Sequence, residues 1–256
     1  MAQNLKNQIA VISGGLGDIG KAIALELARR GADIALGDIQ NFSAAQKVLL
    51  EIKNLNVRAV YHQVDVADSA AIDQWLNSVE KELGIPDLII PNAAIVKTSA
   101  LTEISADDWN SQLNVNLSGA FFLAQNAAKR LLKINRAGRI VFVGSWAAHA
   151  PHANMIPYSV SKAGLRMLCK CMALELAPHN ILVNEVAPGY VDAGLSGKLF
   201  DANPELREFA KEKVPNHELI TAAEVAMQVV YLCDPQNRHI TGSALLMDGG
   251  LSLKQG

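Results

Sequence analysis

Ile9-Ala10-Val11-Ile12-Ser13-Gly14-Gly15-Leu16-Gly17-Asp18-Ile19-Gly20 is the stretch whose reading decides the fold. An apolar run runs straight into a glycine-rich turn, and an amphipathic segment from Ile19 to Arg30 follows, which predicts strand, turn and helix in that order. Gly15, Gly17 and Gly20 satisfy G-x-G-x-x-G. Glycine at such a turn lets backbone approach a pyrophosphate placed at the positive N-terminus of the following helix. An acid about 20 residues further on completes the dinucleotide fingerprint, and Asp38 stands there. Its carboxylate suits the ribose hydroxyls of NAD and repels the 2′-phosphate of NADP, and Lys47 is the nearest basic residue on its C-terminal side.

Outward from this unit the alternation repeats. Short apolar runs at Ile34-Ala35-Leu36, Val57 to Val64 and Leu88-Ile89-Ile90 are separated by helix-length segments Ala44 to Lys53 and Ala70 to Leu83. A long helical region through Trp109 to Lys133, a strand Arg139 to Val143, a helix from near Pro157, a strand Ile181 to Val186, a helix Ala222 to Leu232 and a strand Ala244 to Met247 follow. Such repetition predicts an α/β fold, a doubly wound parallel sheet of Rossmann-like type, with ligands bound beyond the carboxyl ends of the strands. The 256 residues read as a single dinucleotide-binding and catalytic domain, with no repeat or linker. The polar segment 194–213 breaks the alternation beyond a strand's end and reads either as a lid over the site or as an ordinary helix pair.

Half the residues are hydrophobic, 19% are charged and the mean hydropathy is +0.15, as expected of strands buried on both faces. A net charge of -2 and a pI near 6.3 offer no general attraction to nucleic acid or to an anionic membrane surface. The start of the chain has no apolar core of a signal peptide and no run approaches a membrane span, so a cytoplasmic protein is expected. Cys169, Cys171 and Cys233 lack metal-ligand spacing and read as reduced packing residues.

Tyr158-Ser159-Val160-Ser161-Lys162 places a phenol and an ammonium four residues apart, on one face of a helix. A neighbouring cation stabilises phenolate and lowers the phenol pKa towards the range useful for acid/base catalysis. Upstream, the strand ending at Gly144-Ser145 delivers a hydroxyl to the same sheet edge. This combination behind a nucleotide fingerprint resembles the classical short-chain dehydrogenase/reductase family over nearly the whole chain. The resemblance implies Ser145 as the group orienting the substrate oxygen, Tyr158 as acid and base, Lys162 as ribose ligand and pKa modulator, and Asn116 as the residue positioning a water in a proton relay. It further implies a cofactor site of Gly14, Leu16, Gly17, Asp18, Ile19, Gly20, Asp38, Ile39, Asp65, Val66, Asn92, Ala93, Tyr158, Lys162, Pro188, Gly189 and Val191, with NAD as cofactor. Thr241-Gly242 and Asp248-Gly249-Gly250 resemble the family's C-terminal signature.

Several positions depart from the family pattern. Ser13 replaces a threonine, Pro91 an asparagine, Ala94 a glycine and Ala193 a threonine, and Asp18 occupies the middle glycine position, as a helix cap or as a charge set against the pyrophosphate. The resemblance implies a small-molecule substrate and a homotetramer or homodimer packed through apolar residues such as Phe121, Phe122, Leu123, Met167, Leu168 and Met172. Two alternatives to a secondary-alcohol dehydrogenase stand: a 3-oxoacyl thioester reductase, and a non-catalytic NAD-sensing protein. Between Ser145 and Tyr158, His149 and His152 have no carboxylate at matched spacing, so no metal is expected; with Asn154 they favour a polar substrate. Trp146 reads as packing or as a pocket wall.

Overall fold

The computed structural model describes residues 4–253. Seven parallel strands form one sheet in the order β3-β2-β1-β4-β5-β6-β7. They are β1 (Ile9–Ser13), β2 (Asp33–Asp38), β3 (Ala59–Gln63), β4 (Leu88–Ile90), β5 (Gly138–Val143), β6 (Ile181–Pro188) and β7 (Ala244–Met247). The order reverses between β1 and β4, the switch point at which two adjacent crossovers leave in opposite directions and open a crevice.

The period of two in β1 sorts its side chains between two cores. Ala10 and Ile12 face helices α1 (Asp18–Arg29), α2 (Phe42–Lys53) and α9 (Ala222–Cys233), where they pack with Ile23, Leu27, Val48 and Val229. Ile9 and Val11 face α3 (Ser69–Glu82), α5 (Ala120–Lys133) and α6 (Ile156–Leu176), among Leu76, Leu123, Phe142 and Leu165. All five residues of β1 are buried, which is why the strand reads as a continuous apolar run rather than an alternating one.

Most helix starts are capped by side chains. Asn41 accepts from Ala44 N–H, Asp68 from Ala70 and Ala71, and Thr221 forms a capping box with Glu224. The N-terminus of α1 has no side-chain cap. Its glycine turn is tight instead. A Cβ on Gly20 would collide with the Gly14 carbonyl oxygen and lie 2.9 Å from Asn92 Nδ2, whereas one on Gly17 would meet nothing closer than 3.5 Å.

The region from Trp109 to Lys133 is not one regular helix. α4 (Ala106–Leu113) passes through a π turn, Asn114–Gly119, into α5. A π turn accommodates an extra residue and is frequent at functional sites. Here it holds Asn116, and glycine at 119 lets the helix approach Val66, whose carbonyl oxygen would lie 2.6 Å from a Cβ at that position. Segment 194–213 forms α7 (Gly194–Ala202) and α8 (Pro204–Lys213), divided at Asn203, whose side chain caps α8 through Leu206 N–H.

Gly20→Ala is expected to destabilise the fold by about 1–3 kcal/mol, the usual cost of overpacking, and Gly17→Ala by less; urea midpoints of the two variants against the parent measure the difference.

Candidate active site

The crevice at the switch point is held by hydrogen bonds rather than by packing. Ser13 Oγ accepts from the N–H groups of Asn92 and Ala93 at 3.0 and 3.1 Å, while Asn92 Nδ2 donates to the carbonyls of Ser13 and Gly14 at 3.0 and 3.1 Å. Serine thus serves where the family pattern has threonine, since only the hydroxyl is used. A cavity of about 580 Å3 opens above these strand ends. It gathers all the candidate cofactor residues, from Gly14 through Val191, together with Ser145, Tyr158 and Lys162.

One end of the cavity fits a dinucleotide. Gly14 has φ +65°, and a Cβ there would lie 2.9 Å from Ala93 Cα, so the turn closes only with glycine. The first turn of α1, free of a capping side chain, leaves backbone N–H groups for an anion. Asp38 lies at the end of β2, its carboxylate held by Leu16 N–H at 3.1 Å and Gln40 N–H at 3.2 Å. Among the described residues lining the cavity, Lys162 is the one Lys or Arg. Asp18 does not cap its own helix. Its Oδ2 accepts from Gly194 N–H at 2.7 Å, the first residue of α7, which turns the carboxylate from the glycine loop towards segment 194–213.

At the other end, α6 carries Tyr158 and Lys162 on one face. Lys162 Nζ lies 5.6 Å from the Tyr158 ring centroid and donates to the Val143 carbonyl at 2.8 Å. Burial pushes the ammonium down to about 8, with the Glu185 carboxylate opposing. Burial also pushes the Tyr158 phenol above its ordinary value, and a hydrogen bond with Ser145 acts the other way. The expected lowering of the phenol is therefore not the net result in the protein alone, because desolvation of a phenolate outweighs the hydrogen bond from Ser145. Ser145 Oγ accepts from Ala147 N–H at 3.1 Å, which leaves its O–H to donate.

Asn116 stands apart from the cavity lining. Its Oδ1 accepts from Ile95 N–H at 2.8 Å, and its Nδ2 donates to the Ile95 carbonyl at 2.9 Å and to Ser161 Oγ at 3.2 Å. The side chain thereby ties the chain beyond β4 to the π turn and to the helix of Tyr158.

The cavity that holds Ser145 and Tyr158 is also lined by Trp146, Met155, Tyr190, Leu199, Leu206 and Phe209, with His152, Thr98 and Ser196 among its polar members. Trp146 stacks edge to face on His152 and on Tyr190, with ring centroids 4.1 and 5.3 Å apart. His152 Nδ1 bonds the Ala150 carbonyl at 2.8 Å, and Nε2 is buried without a protein partner. Of the three polar side chains His149, His152 and Asn154, only His152 lines the cavity. Neither His149 nor Asn154 does so, which reduces the case for a broadly polar substrate. Tyr190, Leu199 and Phe209 were not readable as wall residues, since only the third dimension folds α7 and α8 back over the sheet edge.

Comparison with known proteins agrees with this architecture. The family model described as enoyl-(acyl carrier protein) reductase matches residues 15–252. The 2,3-dihydro-2,3-dihydroxybenzoate dehydrogenase of Bacillus subtilis (strain 168) is 34% identical, over 98% of both chains. The 3-oxoacyl-(acyl-carrier-protein) reductase FabG of Aquifex aeolicus is 31% identical, over 98% of this chain and 100% of that one. A short-chain type dehydrogenase/reductase from Mycobacterium marinum superposes with a TM-score of 0.92 at 29% identity, covering 98% of each chain. A structure from Agrobacterium tumefaciens with bound NADP has a TM-score of 0.89 at 26% identity, covering 98% of this chain and 99% of that one. With the glycine turn, the Ser-Tyr-Lys set and the sheet order all in place, this chain belongs to the classical short-chain dehydrogenase/reductase family of nicotinamide-dependent oxidoreductases.

Proposed function

We propose that the protein interconverts a secondary alcohol and its ketone with NAD, using Tyr158 as the acid and base. The observation that carries this reading is the convergence of Ser145, Tyr158 and Lys162 on a cavity that also presents Asp38, with no other Lys or Arg among the described lining residues. A 2′-phosphate beside Asp38 would meet a carboxylate and, among the described residues, no lining cation, which favours NAD over NADP. The bound nicotinamide supplies or accepts the hydride.

The chain's own part is orientation and proton transfer. Ser145, whose O–H is otherwise engaged with the Tyr158 phenol, donates it to the substrate oxygen. Tyr158, protonated at neutral pH because burial raises its pKa, gives its proton to a ketone oxygen during reduction and takes the hydroxyl proton during oxidation. Lys162 holds the nicotinamide ribose, and Asn116 fixes the segment after β4. The largely apolar walls, with an acceptor at His152 Nε2, suit a compact substrate with a hydrocarbon body and a second hydroxyl.

A 3-oxoacyl thioester reductase is the second reading. It is favoured by the FabG relatives and by Leu199, Leu206 and Phe209, which line the cavity yet stay partly exposed, as a channel for an acyl chain requires. An NAD sensor without turnover has no use for Ser145 and Tyr158 together. Helices α7 and α8 supply the lid in either catalytic reading. Among the described residues no helix is long and apolar enough to cross a membrane. We further propose a homodimer or homotetramer, supported by a stripe of exposed Val160, Met167, Cys171 and Leu174 along α6.

Reduced-nicotinamide formation with cyclohexanol, 2,3-butanediol, gluconate and xylitol, in NAD and NADP separately, tests the reaction. Turnover with NAD is expected, and Tyr158→Phe should abolish it while retaining NAD binding; near-parental turnover in that variant would refute the assigned role. Reduction of a 3-oxoacyl thioester with silence towards the alcohols would select the second reading. Because Tyr158 must be deprotonated for oxidation and protonated for reduction, the oxidation rate should rise from neutral to alkaline pH and the reduction rate fall, read as opposed kcat profiles. Asp38→Ala should move the NAD/NADP preference towards NADP by about tenfold or more, as removal of a like charge implies, measured as kcat/KM for each cofactor. Leu174→Glu is expected to shift the mass in light scattering towards the monomer and to speed thiol labelling of Cys171; a parental mass would remove this helix from the interface.

A further inference from the structure

Tyr158, Lys162 and Arg166 follow one another at four-residue intervals down α6, so they share one face of the helix. The second and third of them clamp the end of β5 from the same side. Lys162 Nζ donates to the Val143 carbonyl at 2.8 Å, and Arg166 Nη2 donates to the Ser145 carbonyl at 3.3 Å. Gly144 lies between those two carbonyls. Beneath it stands Glu185 of β6, fully buried, which receives Arg166 through both arms of the guanidinium: Nε to Oε2 and Nη2 to Oε1, each at 3.0 Å. A Cβ on Gly144 would collide with Glu185 Oε1, so the glycine before Ser145 is the space this carboxylate occupies.

A buried ion pair gains little stability over a well-packed apolar pair, because desolvation offsets the attraction. Stability alone is therefore a weak reason for a carboxylate in the middle of a core strand. Position relative to the chemistry is a better one.

We propose that Arg166 and Glu185 are positioning residues of the active site: Arg166 fixes Ser145 against Tyr158 through the Ser145 carbonyl, and Glu185 balances the charge that Arg166 and Lys162 bring behind the reacting groups. The proposal rests on Tyr158 being the acid and base. The charged group acting on Lys162 is Glu185 from β6; the same Glu185 with Arg166 and Lys170 from α6 and Asp248 after β7 acts on His149, after β5. Burial, then Arg166, lowers the His149 pKa, so that ring is neutral at pH 7 and above. Lys170 and Asp248 carry opposite charges. Within the Arg166–Glu185 pair, neutralising one member alone changes the local charge by one unit, and neutralising both leaves it unchanged, in neither case touching substrate or cofactor.

The two roles separate in two variants. Glu185→Gln keeps the volume and one acceptor but leaves the Arg166 charge unbalanced, which favours phenolate and neutral lysine. Its NAD-loaded form should show the Tyr158 phenolate titration, taken as an ultraviolet difference against Tyr158→Phe, displaced to lower pH by about half a unit or more. This readout needs no substrate. Arg166→Lys keeps the charge but loses the fork, so the titration should stay in place while kcat on the best alcohol falls about tenfold and NAD affinity does not change.

Should Glu185→Gln fail to fold by circular dichroism, the neutral pair Arg166→Met with Glu185→Leu replaces it. That double variant should titrate as the parent does and share the kcat loss of Arg166→Lys. Parental titration in folded Glu185→Gln, or parental kcat in Arg166→Lys or in the double variant, overturns the proposal and leaves the pair a packing feature. Full turnover in Tyr158→Phe would instead overturn the reading on which it rests, and the control reveals which has failed.

Discussion

The hydrogen bonds between Ser13 and Asn92 are the constraint on which the site depends. A parallel sheet is held by its ladder only as far as the strands extend, and at the switch point β1 and β4 part company just where a ligand must enter. Four hydrogen bonds carry the pairing one step beyond the ladder. They fix the glycine turn to the segment after β4, and Asn116 continues the chain of contacts from Ile95 to Ser161 on α6. The floor of the dinucleotide end and the helix bearing Tyr158 are thereby linked by polar contacts, each worth about 0.5–1.5 kcal/mol net but directional in a way that apolar packing is not.

Burial shapes the chemistry as much as charge does. The Tyr158 phenol and Lys162 ammonium both sit where water is scarce, and each is displaced towards its neutral form. A site so arranged is at rest with the phenol protonated, and in the proposed reaction the compensating positive charge would be that of the oxidised nicotinamide. Acid and base strength are in this way tied to the presence of the cofactor.

Much of the fold was legible in the sequence because fully buried strands leave uninterrupted apolar runs and because the glycine turn follows the first of them. The cavity likewise gathers the cofactor residues that the family resemblance implied, since they lie at strand ends or on the helices α1 and α6 that border them. What stayed hidden has physical reasons. The π turn at Asn114–Gly119 adds a single residue to a helical period, a change no hydropathy pattern records. Asp18 was readable as a charge near the helix start but its partner is 176 positions away. The raised phenol pKa follows from desolvation, which spacing along a helix does not reveal. Glu185 lies in a strand whose neighbours are apolar, and its partner Arg166 is on another element; the pair exists only once α6 lies across β6.

The Asp18 contact with Gly194 joins the first loop of the chain to the segment that closes its last third. The hydrogen bond is exposed and single, so separating it costs little, yet it sits where α7 begins with a left-handed residue at φ +60°. Such a joint is a pivot rather than a lock. Any ligand that reorients the Asp18 carboxylate alters the hold on α7, and by reciprocity any group that draws α7 inward alters the field felt at the glycine turn.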